Sequence, residues 1–237
     1  MWKRDQYPEL EHAIERRRFL KAAAAGTFIT ALGGGTYVLA GEGDPRAKQL
    51  RPDGRVRLPP GQRIIDALKP MGGDPGDPSP AAFRLRLHGE VESPTTIDFA
   101  ALTAMPVTEQ TCDVHCVTGW SCFDVKWTGV SIAHLAKLCK VKDTARYVVF
   151  EAAQGYTANV RLTEALAPTS LVVYKFQGGA LPRPHGPPVR ALMPDLYFWK
   201  SAKWLTGLRF VARDQPGFWE TRGYHNHADP WKEERYG

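Results

Sequence analysis

The residues best suited to chemistry lie in one run, Asp113–Ser121, which reads Asp-Val-His-Cys-Val-Thr-Gly-Trp-Ser. It places a single thiol, Cys116, ahead of Gly119, which can take a positive φ because it has no Cβ. The indole of Trp120 could wall a pocket and offer an N–H donor. A thiolate in such a polar loop can act as a nucleophile or as a metal ligand. By itself, the run is equally compatible with a buried structural cysteine.

Six further stretches combine glycine, aromatic and basic residues. They are, in chain order, Trp127–Val130, Gly155–Asn159, His185–Arg190, Tyr197–Trp204, Gly217–Glu220 and Gly223–Trp231. In this order and spacing the stretches resemble the molybdopterin-dependent oxidoreductases of the sulfite-oxidase fold. The likeness is to the small bacterial sulfite oxidase-like branch, which is related to the periplasmic methionine-sulfoxide reductase catalytic subunit. It extends from about Phe83 to the C-terminus.

The resemblance implies a molybdenum–molybdopterin cofactor with Cys116 as the thiolate ligand of the metal. A soft sulfur donor suits a metal that the dithiolene sulfurs of the pterin already hold. The residues that the resemblance places at the pterin or its phosphate are His115, His185, Arg190, Ser201, Ala202 and Lys203. This is intelligible chemically, because backbone N–H groups at a turn bind anions and arginine offers bidentate donors.

Two residues are candidates for the substrate pocket. Trp120 stands next to the proposed metal thiolate, and Tyr156 lies in a glycine-flanked stretch with Asn159. Ordinary turn chemistry would explain Tyr156 and Asn159 equally well. True sulfite oxidases follow their cysteine closely with Gly-Asn-Arg, whereas this chain has Val117–Trp120, which argues against tightly bound sulfite.

The function that the resemblance implies is transfer of an oxygen atom to or from a small molecule, with reduction of an S-oxide as the first hypothesis. The alternatives are a sulfite dehydrogenase-like enzyme and a non-catalytic exported metal-binding protein. Electrons would come singly from a partner. Because the chain has no Cys-x-x-Cys-His haem motif, we expect that partner to be a membrane haem or quinone-linked protein.

Composition and motifs exclude other classes of protein. The chain has 237 residues and a formal net charge of +6, yet no Lys/Arg run with interleaved aromatics, so nucleic acid is not the expected partner. A hydrolase is disfavoured because no Gly-x-Ser-x-Gly elbow occurs. The four cysteines fit no common zinc spacing. A disulfide between Cys112 and Cys122 could form if the protein is exported. The His225-x-His227-x-Asp229 cluster is interpreted as part of a structural segment that wraps the domain.

Three regions are predicted along the chain. Residues 1–41 contain Arg16-Arg17-Arg18-Phe19-Leu20-Lys21 before an uncharged Ala/Gly-rich stretch, which indicates a twin-arginine signal or a membrane anchor. Localisation would then be periplasmic or otherwise exported. Residues 42–80 form a Pro/Gly-rich linker expected to run as coil, and residues 81–237 form the molybdopterin-binding domain.

The pattern within that domain predicts an α+β class, rich in strands with short helices. Helices are predicted at Ile97–Met105, capped by Thr96, and over the Ile132–Cys139 stretch, where apolar residues recur at helical spacing. Cys139 is therefore predicted to be a core residue. Strands are predicted near Phe83–His88, Val107–Cys112, Tyr147–Glu151, Leu171–Phe176, Val189–Met193 and Leu205–Val211.

Overall fold

The structure is a computed structural model that describes residues 27–30, 36–39, 44–73 and 76–237. The predicted twin-arginine sequence and most of the apolar stretch behind it lie outside these residues. The backbone of Thr27–Thr30 (β1) and Thr36–Leu39 (β2) forms an antiparallel pair of strands. No helix within the described ranges is long and apolar enough to span a membrane. Lys48–Gly237 forms one compact unit, separate from the chain up to Ala47.

The unit that starts at Lys48 is built mainly from strands. They are Arg63–Ile65 (β3), Arg84–Gly89 (β4), Thr95–Asp98 (β5), Thr108–Cys116 (β6), Trp120–Ser131 (β7), Tyr147–Ala152 (β8), Thr157–Arg161 (β9), Leu171–Phe176 (β10), Gly179–Ala180 (β11), Arg190–Leu192 (β12) and Leu205–Val211 (β13). The α-helices are Phe99–Thr103 (α1), Ile132–Leu138 (α2) and Leu162–Ala165 (α3). Short 3₁₀ turns are Pro45–Lys48, Ala153–Gly155, Arg183–His185, Phe198–Lys200, Glu220–Arg222 and Pro230–Lys232. The predicted β-rich α+β class with short helices is confirmed.

Two sheets organise this unit. In the six-stranded sheet, the long strand β7 pairs antiparallel with β6 and β10 and parallel with β3. The short strands β11 and β12 both pair with β10. The five-stranded sheet has the order β5-β4-β13-β8-β9, in which β13 runs parallel to β4 and antiparallel to β8. The β6–β7 connection carries the Cys116 run, so the larger sheet positions the candidate chemistry.

Alternation along β4 shows why the smaller sheet forms. Leu85 and Leu87 are fully buried, whereas Arg84 and Arg86 point away from the core and stay exposed. This two-residue period is the signature of a half-buried strand, as the sequence indicated. The buried side chains join a large apolar core with α1 and α2, in which Cys139 is fully buried, as predicted.

The helix predicted at Ile97–Met105 is wrong in its first part. Residues Thr95–Asp98 form strand β5, and Ile97 is a buried partner of Leu85 in the adjacent strand. The helix begins only at Phe99 and is capped by Asp98, whose carboxylate accepts from the Ala101 N–H at 2.8 Å. Pairing with β4 therefore overrides the local helical pattern.

The segment predicted as coil contributes one strand. Arg63–Ile65 adds to the edge of the larger sheet, in parallel register with Trp120–Cys122. No proline occurs between Pro60 and Pro70, so this stretch has the N–H groups that a strand requires. Strand β9 was also missed, because Asn159 was interpreted as part of a turn and lies within Thr157–Arg161.

Candidate functional site

Cys116 ends strand β6 and opens the turn that leads into β7. The N–H of Gly119 donates to the carbonyl of Cys116 at 3.0 Å and closes the turn. Gly119 has φ +87°, a conformation that side chains rarely adopt, so glycine is required at this position. Cys116 and Trp120 are then opposite each other across the two strands. The bend predicted from Gly119 is present and presents the thiol at the end of a rigid strand.

The Cys116 sulfur is buried but not isolated. Only 5 % of the residue is exposed, and this burial raises the pKa of the thiol. Hydrogen bonds from Thr118 and the positive charge of Arg235 act in the opposite direction and favour the thiolate. The Oγ1 atom of Thr118 lies 3.2 Å from Sγ. The surroundings therefore supply donors to the charged form of the sulfur, which is the form that binds a metal.

Side chains from distant parts of the chain hold the turn. The side-chain amide of Gln62 donates to the carbonyl of Cys116 at 3.1 Å, and the N–H of Arg63 donates to the carbonyl of Gly119 at 3.1 Å. The guanidinium of Arg235 donates to the carbonyl of Val117. Each of these bonds fixes one carbonyl of the turn, so the direction of the thiol is set by residues that lie far before and far after it in the sequence.

Trp120 forms an aromatic wall beside the thiol. Trp120, Trp127 and Tyr197 are almost fully buried in the same apolar cluster as Cys116. The indole N–H groups of both tryptophans have no hydrogen-bond partner within the described part of the chain. Buried polar groups normally have partners, because leaving one unpaired costs about 1–3 kcal/mol. Two orphaned N–H groups in one cluster indicate a site that a polar molecule completes.

The two tyrosines near the site differ in what they do. The hydroxyl of Tyr156 donates to the carbonyl of Trp199 at 2.6 Å, and burial raises the pKa of Tyr156. Tyr224 packs against the cluster that contains Cys116, and the negative charge of the thiolate adds to burial in raising the pKa of Tyr224. Tyr156 is the tyrosine that the sequence predicts at the pocket, whereas Tyr224 is not predicted, although it lies in the stretch Gly223–Trp231.

His115 packs away from the thiol of its neighbour. Successive side chains on a strand point to opposite faces, so His115 and Cys116 do not share one. The His115 ring lies edge-on to Trp231 with 5.0 Å between ring centroids, and Nδ1 is 2.8 Å from the hydroxyl of Ser121. Burial lowers the pKa of His115 to about 3, which keeps the imidazole neutral. Nε2 has no partner among the described residues.

The other basic candidates gather at a second place. Arg190 is 1 % exposed and donates to the carbonyls of His185 at 3.2 Å and Ser201 at 2.7 Å. Burial lowers the pKa of Arg190 to about 9. The pKa values of His185 and Lys203 fall to about 4 and about 8, in both cases by burial first and then by the nearby positive charges. The three basic groups are therefore close enough to repel one another.

This cluster lacks a counter-charge. Within the described residues, no carboxylate forms an ion pair with His185, Arg190 or Lys203. Lys203 Nζ instead donates to backbone carbonyls, including that of Pro184 at 3.1 Å. A Cβ on Gly186 would approach the Cα of Lys203 to 2.8 Å, so this glycine allows the two loops to approach closely. A buried arginine beside a half-buried lysine, with no carboxylate, is the arrangement expected of an anion site.

The loop Ser201–Lys203 adds neutral donors to this cluster. The hydroxyl of Ser201 accepts from the N–H of Met193 at 2.9 Å, which fixes the loop to the end of β12. The carbonyl of Ala202 accepts from Ala191 at 2.9 Å. The N–H groups of Ala202 and Lys203 make no hydrogen bond to other described residues. Free amides beside buried cations complete a set of donors suited to a phosphate.

A buried ion pair, which the sequence analysis did not identify, fixes the C-terminal segment. Lys200 and Glu220 are 2.6 Å apart, and both side chains are at most 1 % exposed. Lys200 also donates to the side chain of Asn159 at 2.9 Å and to the carbonyl of Asn226 at 2.7 Å. The signal was present in the Lys-Ser-Ala-Lys pattern, but of its two lysines only Lys203 was considered.

The remaining candidates have structural contacts. His227 bridges Glu164 at 2.6 Å and Glu234 at 2.7 Å, and no group of three or more metal-binding side chains occurs in the described ranges. No disulfide joins Cys112 and Cys122. They lie on paired strands but oppose other residues, since Cys112 faces Val125 and Cys122 faces Val114.

Residues 72–219 match the family described as "Oxidoreductase molybdopterin binding domain". The chain belongs to this family. It is 40 % identical over 191 residues to the "Uncharacterized oxidoreductase YuiH" of Bacillus subtilis (strain 168), a match that covers 80 % of the chain and 96 % of that protein. It is 28 % identical over 253 residues to the "Protein-methionine-sulfoxide reductase catalytic subunit MsrP" of Burkholderia mallei (strain ATCC 23344), which covers 91 % of the chain and 76 % of the relative.

A solved structure has the same fold. The sulfane dehydrogenase SoxCD from Paracoccus pantotrophus superposes with a TM-score of 0.56 at 16 % sequence identity. The match covers 98 % of this chain but only 62 % of the SoxCD chain, so this protein spans about three fifths of its length. The predicted family, the sulfite-oxidase-type fold and the predicted class of enzyme, an oxidoreductase, are confirmed.

The residues present fit a molybdopterin. The buried thiol has donors around its sulfur, its apolar cluster has two orphaned indole N–H groups, and a separate basic cluster lacks a carboxylate within the described chain. These are the three features that a metal, a polar heterocycle and a phosphate require.

Proposed function

We propose that this protein binds one molybdenum–molybdopterin per chain, with Cys116 as the thiolate ligand of the metal. The supporting observation is the Cys116 turn, in which a buried sulfur accepts hydrogen bonds and lies in one cluster with unpartnered polar groups. His185, Arg190 and Lys203, with the free amides of the Ser201–Lys203 loop, hold the pterin phosphate. When bound, the cofactor supplies the two-electron chemistry of oxygen-atom transfer.

The proposed reaction is reduction of an S-oxide to a sulfide. One S–O bond breaks, and two electrons and two protons enter, so that the sulfide and water leave. The relatives named methionine-sulfoxide reductases support this substrate class. The turn also suits a neutral S-oxide, because Val117–Trp120 replaces the segment in which sulfite oxidases have an arginine that binds the sulfite anion. The aromatic wall excludes water from the thiol, and an indole N–H can donate to the oxygen of the S-oxide.

Tyr224 is the proposed proton-carrying group of the pocket. It packs against the thiolate cluster, whereas the hydroxyl of Tyr156 is committed to the carbonyl of Trp199. Tyr156 then shapes the site by fixing the Trp199 backbone, and its hydroxyl is near enough to Arg190 to be affected by the charge of that residue. His115, with a neutral ring and an unpartnered Nε2, is proposed to contact the pterin rather than the metal.

Electrons are proposed to reach the site singly from a membrane haem or quinone-linked partner, outside the cytoplasm. The relative named "Putative protein-methionine-sulfoxide reductase subunit YedZ1" of Azospira oryzae (strain ATCC BAA-33 / DSM 13638 / PS), 32 % identical over 146 residues, supports a redox assembly. That match covers 61 % of this chain and 55 % of the relative. The twin arginines at the start of the sequence support export.

Metal analysis and a matched pair of assays test the function. The full chain is purified from a host that makes the cofactor, and molybdenum is measured per chain. Reduced methyl viologen then serves as electron donor for methionine sulfoxide, and ferricyanide as acceptor for sulfite. Near-stoichiometric molybdenum with turnover of the S-oxide alone supports the proposal. Sulfite oxidation in its place would assign the opposite reaction, and a folded chain without molybdenum would make it a non-catalytic member.

A further inference from the structure

Thr118 contacts the sulfur of Cys116 in two ways. Its hydroxyl oxygen lies 3.2 Å from Sγ, and its backbone N–H also makes a hydrogen bond to Sγ. Both groups belong to a half-buried residue in the turn between β6 and β7. A single residue two positions along the chain therefore provides two of the contacts of the candidate ligand atom.

The direction of the hydroxyl bond depends on the charge of the sulfur. A thiol can either donate to Thr118 or accept from it, but a metal-bound thiolate has no proton and can only accept. The hydroxyl hydrogen must then point at Sγ. Hydrogen bonds to ligand sulfurs draw electron density from the metal–sulfur bond and tune the reduction potential of the site.

The hydroxyl is held in position from both sides. Threonine is branched at Cβ, so its χ1 angle is restricted. The backbone that carries it is fixed as well, because Gln62 binds the carbonyl of Cys116 at 3.1 Å and Arg235 binds the carbonyl of Val117. Gly119 closes the turn on the other side. A donor that neither rotates nor moves with the loop is preorganised toward the sulfur.

We propose that Thr118 is a positioning residue, which orients Cys116 Sγ and raises the reduction potential of the bound metal by donating its hydroxyl hydrogen to the sulfur. This inference rests on the proposed function, since it requires Cys116 to be the metal ligand. This role depends on the hydroxyl of Thr118 and not on the volume of its side chain. A hydroxyl is therefore required at this position, and a side chain of equal shape without one does not replace it.

The experiment compares three substitutions in the full, metal-loaded chain. Thr118→Val removes the hydroxyl and keeps the shape, Thr118→Ser keeps the hydroxyl, and Thr111→Val makes the same change at an exposed position of strand β6. Molybdenum content, the midpoint potential and the electron paramagnetic resonance signal of the half-reduced metal are measured for each. We expect Thr118→Val to have a lower potential and altered g values, and both other variants to match the wild type.

The outcomes separate this inference from the proposed function. Loss of the metal in Thr118→Val but not in Thr118→Ser also supports a positioning hydroxyl. A Thr118→Val protein with wild-type molybdenum, potential and spectrum overturns the inference and leaves the function standing, as does an equal change in both Thr118 variants. A wild type without molybdenum, or a Cys116→Ser protein with an unchanged spectrum, overturns the function itself. If Thr118→Val does not fold, Thr118→Ala removes the same hydroxyl.

Discussion

The side-chain amide of Gln62 is bound to the carbonyl of Cys116 at 3.1 Å, across 54 positions of sequence. Its carbonyl oxygen faces Ser121, whose hydroxyl donates at 3.4 Å and also meets His115 Nδ1. One glutamine therefore connects the thiol turn with the strand that follows it. Gln62 belongs to the segment that was predicted to be a linker, and it precedes the residues that match the family.

Gln62→Ala should lower turnover by a larger factor than its modest effect on stability would explain. A neutral hydrogen bond contributes about 0.5–1.5 kcal/mol, so we expect the free energy of unfolding to fall by roughly 1 kcal/mol. Turnover should fall by a larger factor, because the thiol direction loosens. Urea unfolding and kcat/KM measure the two effects. Gln49→Ala removes an exposed glutamine of the same segment and is the control. Equal losses in stability and turnover for both variants would contradict a special role for Gln62.

Cys116→Ser should abolish activity and leave the protein folded. The change removes a soft ligand but little volume, so the metal loses a ligand that oxygen does not replace equally. Turnover with an artificial electron donor should fall to background, while circular dichroism stays that of the wild type. Cys112→Ser, on the same strand, is the control and should keep turnover. The assignment of the ligand is wrong if the two results are reversed.

Lys203→Ala should purify with less cofactor. Removing a charged hydrogen bond costs about 1.5–3 kcal/mol, which corresponds to roughly tenfold or more in affinity. Arg190→Ala should show the same loss together with lower stability, because Arg190 is buried and binds backbone carbonyls of three residues. Molybdenum per chain and thermal unfolding distinguish the two. Lys126→Ala, an exposed lysine, is the control, and wild-type metal in the Arg190/Lys203 double variant would exclude the phosphate role.

His227 should make stability depend on pH. The hydrogen bond to Glu164 raises the pKa of His227 in the folded state, with a further contribution from Glu234. The stabilisation is fully present below the unfolded pKa of about 6.5 and is lost as the pH rises through the higher folded value. Unfolding of the wild type and His227→Gln between pH 5.5 and 9 measures the difference. It should shrink with rising pH and be largely absent in a Glu164→Gln background; a constant difference would refute the linkage.

Replacing Arg16 and Arg17 together by lysine should retain the protein in the cytoplasm. The twin-arginine route carries folded proteins, so the retained form should still contain molybdenum. Cell fractionation with metal analysis tests both parts. The sequence motif is the only support for this expectation, because these residues lie outside those that the structure describes. A wild type that is found soluble in the cytoplasm would contradict the export signal.

The sequence predicts local features well because their causes are local. Alternation around Leu85, the helical spacing from Ile132 and the bend at Gly119 all follow from neighbouring residues. The contacts of Gln62 and Arg235 with the thiol turn span 54 and 118 positions, and no short-range pattern marks them. Ile97 was misassigned for the same reason, since its partner Leu85 is on another strand.

Tyr156 and Tyr224 show which feature of the site cannot be predicted from the sequence. Both lie in glycine-rich stretches, and the sequence cannot show which hydroxyl is already engaged. That depends on where the carbonyl of Trp199 falls after folding. The residue types of the site can therefore be identified from the sequence, whereas the role of each residue depends on long-range geometry.

The hydrogen bond from Arg235 to Val117 can form only at a late stage of synthesis. During synthesis Val117 is made 118 residues before Arg235, which at about 5–20 residues per second is a delay of roughly 6–24 s. The stretch that matches the family ends at residue 219, before Arg235 is added. A nascent chain that ends there can already form the contacts of Gln62 and Arg63 with the thiol turn, but the carbonyl of Val117 still lacks its donor. Cofactor delivered during translation would meet a turn without this last contact, and the arrival of Arg235 would add it.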